Sequence, residues 1–163
     1  MSRLDSVIER LKAQRACIDA ACAAISGLDG PVLELGLGNG RTYDHLRDRL
    51  PERRIFVFER QVSAHQDCIP PDEDLFLGDF ADRLPDAMSR IKRPAALVHA
   101  DIGTGDKAAS VALARSISAY LVDLMADGAL LLSDQPFPDP RLEPCDLPAG
   151  VPPGRYHLNR KTA

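Results

Sequence analysis

Residues 32–43 read Val32-Leu33-Glu34-Leu35-Gly36-Leu37-Gly38-Asn39-Gly40-Arg41-Thr42-Tyr43. A short apolar run leads straight into three alternating glycines and then into a helix-like stretch. Glycines at such a turn let the backbone reverse tightly and let a ligand approach without interference from a Cβ. The helix start that follows offers unpaired N–H groups to an anionic group. Strand, glycine turn and helix in that order form the opening unit of a parallel α/β sheet.

The same alternation continues outward from this stretch. Residues 31–35, 54–59, 74–77, 95–100 and 128–133 are short apolar or β-branched runs, which read as strands buried on both faces. Between them, residues 42–50, 62–67, 85–91 and 107–126 read as helices, the last with Val111, Ala114, Ile117, Leu121 and Leu124 on one face. A doubly wound, mostly parallel α/β sheet is expected over residues 30–135. Ahead of it, Leu4, Ile8, Leu11, Ile18, Cys22 and Ile25 are spaced for an extra N-terminal helix within residues 1–27, with Arg15 interrupting the stripe. Residues 136–163 change character: seven of the thirteen prolines fall between Pro136 and Pro153. Such a stretch cannot be regular helix or central strand. It is expected to wrap the domain as a loop, with residues 155–161 as one short edge strand.

Length and composition exclude several classes. A chain of 163 residues is expected to be a single domain with a sizeable core. A net charge of -4, scattered Lys and Arg, no Trp and few aromatics argue against nucleic-acid binding. No apolar run approaches the length of a membrane span, and the charged N-terminus is unlike a signal peptide, so a cytoplasmic protein is expected. Cys17, Cys22, Cys68 and Cys145 have no metal-site or redox-motif spacing and are expected to be free thiols.

The glycine loop has two competing nucleotide readings. A dinucleotide site wants G-x-G-x-x-G, but Arg41 stands where its third glycine belongs and the loop is G-x-G-x-G. Glu34, two residues ahead of Gly36, would repel a pyrophosphate and suits a sulfonium or ammonium cation, so electrostatics favours S-adenosylmethionine over NAD. Glu59 closes the second run 23 residues past Gly36, where a carboxylate can accept both hydroxyls of a ribose. Asp79 and Asp101 follow the third and fourth runs, so four acidic residues stand at or near strand tips. Ligands of such sheets bind outside those tips.

With Glu34-Leu-Gly-Leu-Gly-Asn-Gly40, Phe56-Val-Phe-Glu-Arg60, Leu77-Gly-Asp-Phe80 and His99-Ala-Asp-Ile-Gly103 in this order, the chain resembles the class I (Rossmann-like) S-adenosylmethionine-dependent methyltransferases. The resemblance covers residues 30–135. It implies that Gly36, Gly38 and Gly40 line the methionine part of the cofactor, that Glu59 holds the ribose, and that Asp79 with Phe80 frames the adenine. By their place in the motifs, Asn39, Tyr43, Arg60, Gly78 and Ile102 join that wall, and Asp101 stands beside cofactor or substrate. Members of this family add two strands after the fifth, whereas only 28 residues follow Gln135 here. A truncated C-terminal sheet is therefore expected, completed by another subunit of a homo-oligomer. His99-Ala-Asp101 and Asp134-Gln135 depart from the divalent-cation pattern of catechol-type O-methyltransferases, so no metal is expected.

The expected activity is in-line methyl transfer to a small molecule. A non-catalytic S-adenosylmethionine-binding protein and an NAD-linked oxidoreductase are the alternatives. An oxygen or protonated nitrogen acceptor also needs a base within reach. Candidates are His99, Asp101, Asp134 and His157, with Asp101 preferred and His99 read as a core histidine.

Overall fold

A computed structural model describes residues 1–163. Five parallel strands, β1 (Val32–Leu35), β2 (Ile55–Glu59), β3 (Leu75–Leu77), β4 (Ala95–Ala100) and β5 (Met125–Ser133), alternate with helices α2 (Arg41–Arg49), α3 (Phe80–Arg83), α4 (Met88–Ile91) and α5 (Lys107–Asp123). Helix α1 (Arg3–Ala24) precedes them, and β6 (Leu142–Pro144) and β7 (His157–Lys161) follow. The sheet order is β3-β2-β1-β4-β5-β7-β6. Strand order reverses between β1 and β4, which opens a crevice at their carboxyl ends.

The apolar runs bury both faces of the sheet. On one face Leu33, Leu35, Phe56, Phe58, Val98 and Leu131 pack with Ala114, Ile117 and Leu121 of α5. On the other, Val32, Val57, Leu97, Leu130 and Leu132 pack with Cys17, Ile18 and Ala21 of α1 and Leu46 of α2. Strand β5 starts earlier than expected, at Met125, because it is irregular: its register against β4 shifts between Ala95 and Leu97, and Gly128 there has φ of 83°. A positive φ of this kind marks a bulge.

Four expectations are corrected. The sheet is not truncated: β7 pairs antiparallel with β5, and β6 with β7, giving seven strands. The tail can do this because the proline that enters a strand falls where the sheet tolerates it, Pro144 lying in β6 at the outer edge where no further strand needs an N–H donor. The buried stripe of α1 is Ala13, Gln14, Cys17, Ile18, Ala21 and Cys22, while Leu4 and Ile8 are exposed because the first turns project past the sheet. Residues 62–67 form no helix, only a 3-10 turn at Gln66–Cys68, and residues 85–91 keep only the single turn of α4. No helix is long and apolar enough to cross a membrane.

Candidate active site

Glycine does three different jobs in the loop from β1 to α2. Gly36, with φ of 87°, donates its N–H to the Phe58 carbonyl at 2.9 Å, and a Cβ there would strike the Asp101 carbonyl. It lets the first strand tip lie against the fourth. Gly40, φ 88°, opens α2, and a Cβ on it would strike Cys68. Gly38, φ 52°, has nothing within 4 Å of where a Cβ would stand. Of the three, only this middle glycine has open space where a side chain would stand.

Glu59 holds the loop from the neighbouring strand. One carboxylate oxygen accepts the N–H groups of Leu37 (2.8 Å) and Gly38 (3.1 Å), and the other those of Arg60 (2.7 Å) and Gln61 (3.3 Å). Further along the strand tips, the Arg60 guanidinium meets Asp79 at 2.8 Å. Asp134, at the end of β5, accepts from the N–H groups of Ile102 (3.0 Å) and Gly103 (2.9 Å) and so fixes the loop after β4. Burial raises the Asp134 carboxyl above its ordinary value, against the lowering effect of hydrogen bonds from Gln135 and these backbone groups.

These elements enclose a cavity of about 1130 Å³. Its wall includes Gly36, Gly38, Asn39, Glu59, Arg60, Gly78, Asp79, Phe80, Asp101 and Ile102, ten of the positions the sequence points to. Glu34, Tyr43 and Gly40 are not on that wall. Glu34 and Tyr43 are buried beneath the loop, and Gly40 is turned against Cys68. His157 lies in β7 opposite Ser133, away from the wall, and burial lowers its imidazole below the ordinary value. No group of three His, Cys, Asp or Glu side chains is arranged to hold a metal ion.

Among the wall residues that escape the sequence reading are Arg10 and Gln14 from α1, Thr42 from α2, and Arg155 and Tyr156 from the tail. Gln14 carried one faint signal, a polar residue inside the stripe from Ala13 to Cys22. Tyr156 carried none, because its place depends on how β7 pairs.

A row of hydrogen bonds runs beneath the wall. Thr42 donates to Glu34; Glu34 meets His99 Nδ1 at 2.7 Å; His99 Nε2 meets the Tyr156 hydroxyl. Gln14 Nε2 reaches both Tyr156 Oη (3.3 Å) and Asp101 Oδ2 (3.0 Å). Glu34 and His99 are fully buried. Burial pushes the His99 imidazole down, but the charge and hydrogen bond of Glu34, with Asp101 and Asp134 beyond, outweigh it and leave His99 raised. Burial holds the Tyr156 phenol well above its ordinary value.

Comparison with known proteins places this geometry. The family described as S-adenosyl-L-methionine methyltransferase matches the chain over residues 1–161. A crystal structure of an S-adenosyl-L-methionine methyl transferase from Silicibacter pomeroyi DSS-3 is 44% identical, covers 99% of each chain and superposes with a TM-score of 0.93. The plantazolicin methyltransferase BpumL, in complex with a triazolic desmethylPZN analog and SAH, is 10% identical; the match covers 77% of this chain and 46% of that one, with a TM-score of 0.54. The sugar N-methyltransferase KedS8 from Streptoalloteichus sp ATCC 53650 is 18% identical, covering 80% and 55%, with a TM-score of 0.51. The last two share the fold. No curated protein matches the sequence.

Proposed function

The chain belongs to the S-adenosyl-L-methionine methyltransferase family, and from that premise we propose which residues hold the cofactor and what kind of acceptor it serves. When bound, S-adenosylmethionine supplies a methyl group made electrophilic by its sulfonium. The cavity suits such a ligand. Its volume accommodates a nucleoside with an amino-acid arm, and Glu59, Asp79, Asp101 and Asp134 give a cation carboxylate neighbours. The single observation that carries the assignment is Gly38, whose left-handed backbone faces open space beside Glu59.

In this reading Gly36, Gly38 and Asn39 border the amino-acid arm, Glu59 accepts from the ribose hydroxyls, and Asp79 with Phe80 borders the adenine. Glu34 and Gly40 act from behind, by shaping the loop. Asp101 orients the acceptor. The protein's task is to align acceptor, methyl carbon and sulfur and to exclude water. The acceptor is a small molecule, because α1 and the tail close the far end of the cavity with Arg10, Gln14 and Tyr156. Exposed Leu4, Val7 and Ile8 on α1 support pairing with a second copy, which light scattering at micromolar concentration checks. The four free cysteines suit the cytoplasm.

Calorimetric titration with S-adenosylmethionine, its demethylated product and NAD tests the site. The first two are expected to bind, NAD is not, and Glu59→Gln is expected to weaken binding tenfold or more, about 1.4 kcal/mol. Unchanged affinity in that variant removes Glu59 from the ribose; no binding of either adenosyl compound removes the whole assignment.

A further inference from the structure

The row from Thr42 to Asp101 does more than hold the fold together. A buried carboxylate–imidazole pair is a poor source of stability, since a well-packed apolar pair of the same volume often does as well or better. This one is fully buried and lies directly behind the cavity, and the row surfaces on the cavity wall at Thr42 at one end and at Tyr156, Gln14 and Asp101 at the other.

With Glu34 ionised and His99 neutral, counting donors sets its direction. The Gln14 amide has two hydrogens, one for Asp101 and one for the Tyr156 oxygen. The Tyr156 hydrogen then serves His99 Nε2, which leaves the imidazole hydrogen on Nδ1 for Glu34, while Thr42 donates to the other Glu34 oxygen. Every hydrogen from Gln14 to Glu34 points towards the carboxylate, and the Tyr156 oxygen keeps one lone pair free.

We propose that Tyr156, backed by the buried His99–Glu34 pair, takes the proton that the methyl acceptor loses, and that the acceptor presents a neutral hydroxyl to the Asp101 end of the cavity. This rests on the cofactor assignment above. The acceptor oxygen gains the methyl group as its proton moves to Tyr156 Oη and the Tyr156 proton moves to His99 Nε2. The positive charge that sulfur gives up reappears on the imidazolium facing Glu34, so charge balances. After product leaves, the proton returns by Tyr156 to solvent. A thiol or an already ionised carboxylate has little use for this path, whereas an alcohol or phenol holds its proton at neutral pH. Tyr156 is the catalytic residue; His99 and Glu34 are positioning residues.

The groups facing His99 are Glu34 from β1, Tyr156 from the tail, Asp101 after β4 and Asp134 from β5. Their net effect raises His99, so the relay operates on the alkaline side of that titration.

Nitrogen NMR of histidine-labelled protein saturated with S-adenosylhomocysteine, from about pH 6 to about pH 10, reads the relay directly. The expected result is a neutral His99 above its midpoint, protonated on Nδ1, with Nε2 perturbed by Tyr156→Phe and the midpoint lowered by Glu34→Gln. A proton on Nε2, or an imidazole doubly protonated to the end of that range, overturns the relay. A second arm follows radiolabelled methyl transfer to a panel of phenols, hydroxy acids, thiols and amines. Label in hydroxyls, cut about 100-fold by Tyr156→Phe with S-adenosylhomocysteine affinity within about twofold, supports it. Label confined to thiols or amines, or affinity lost together with rate, overturns it. With an unlabelled panel, the NMR result decides by itself. Failure of wild-type protein to bind S-adenosylhomocysteine defeats the cofactor assignment instead.

Discussion

The glycine loop after β1 and the proline-rich tail after β5 reach the same cavity by opposite routes. The loop is shaped by local conformational demand: Gly36, Gly38 and Gly40 all have positive φ, and Glu59 ties the loop down by accepting the N–H groups of Leu37 and Gly38. The tail is shaped by pairing at a distance. Residues 130–133 of β5 take β7 as an antiparallel neighbour, β7 takes β6, and Tyr156 arrives at the wall as the residue ahead of β7. Local demand leaves its mark in residue types. Long-range pairing leaves almost none.

The largest effect tests the point where the two regions meet. Glu34→Leu strands His99 without its buried partner, and urea unfolding is expected to show a loss of about 3–5 kcal/mol. Because the folded state raises His99, the stability this pairing contributes is full below the unfolded histidine value of about 6.5. It is lost as pH rises through the raised folded value. The gap between wild type and variant is expected to narrow as pH rises above about 6.5; a gap independent of pH removes the charge of His99 from what the pairing contributes.

Next comes the tail itself. Leu158 is buried in β7 opposite Leu132, and Leu158→Ala is expected to cost about 2–3 kcal/mol, the lower part of the range for such truncations, because the strand lies near the sheet edge. Its chemical-denaturation midpoint should fall. An unchanged midpoint would mean that the tail adds no stability to the sheet.

Two glycine substitutions sharpen the reading of the loop. A side chain at Gly36 adds a backbone collision to a left-handed residue, so Gly36→Ala is expected to cost more than the roughly 1–2 kcal/mol of the conformation alone. Gly38→Ala meets no protein atom and is expected to cost only that roughly 1–2 kcal/mol of left-handed conformation, while weakening S-adenosylhomocysteine binding by calorimetry. Equal behaviour of the two would erase the distinction between a packing glycine and a cavity glycine.

The smallest effect lies at the tail's outer end. Arg141 bridges Asp139 and Asp123 near the surface, and Arg141→Ala is expected to cost about 0.5–1 kcal/mol. Hydrogen bonding to Arg141 holds the Asp139 carboxyl below its ordinary value. Its contribution is therefore present above the unfolded carboxylate value of about 3.9 and lost as pH falls through the lowered folded value. Wild type and variant should converge in acid, which thermal melts at several pH values will show.

The parallel strands were legible because a strand buried on both faces needs an unbroken apolar run, as in residues 95–98 and in Ile55–Phe58. The helices over residues 62–67 and 85–91 were not, since a few polar and apolar residues satisfy helix spacing by chance and the chain spends them on turns instead. The α1 stripe misled for another reason. Leu4, Ile8 and Leu11 have the right period, but Leu4 and Ile8 stay exposed and Leu11 is spent on the cavity wall rather than on the core.

The sequence by itself determined the α/β core, the crevice at the strand tips and the acidic and glycine residues around it, because those positions carry conformational or charge requirements that only a few residue types meet. It determined the family by the same marks. The tertiary structure decided the rest: that Glu34 lies behind the cavity, that the tail completes a seven-stranded sheet, and that Gln14 joins Tyr156 to Asp101. Glutamine and tyrosine are acceptable at many buried and half-buried places. Only the packing of α1 and the register of β7 against β5 bring these two together.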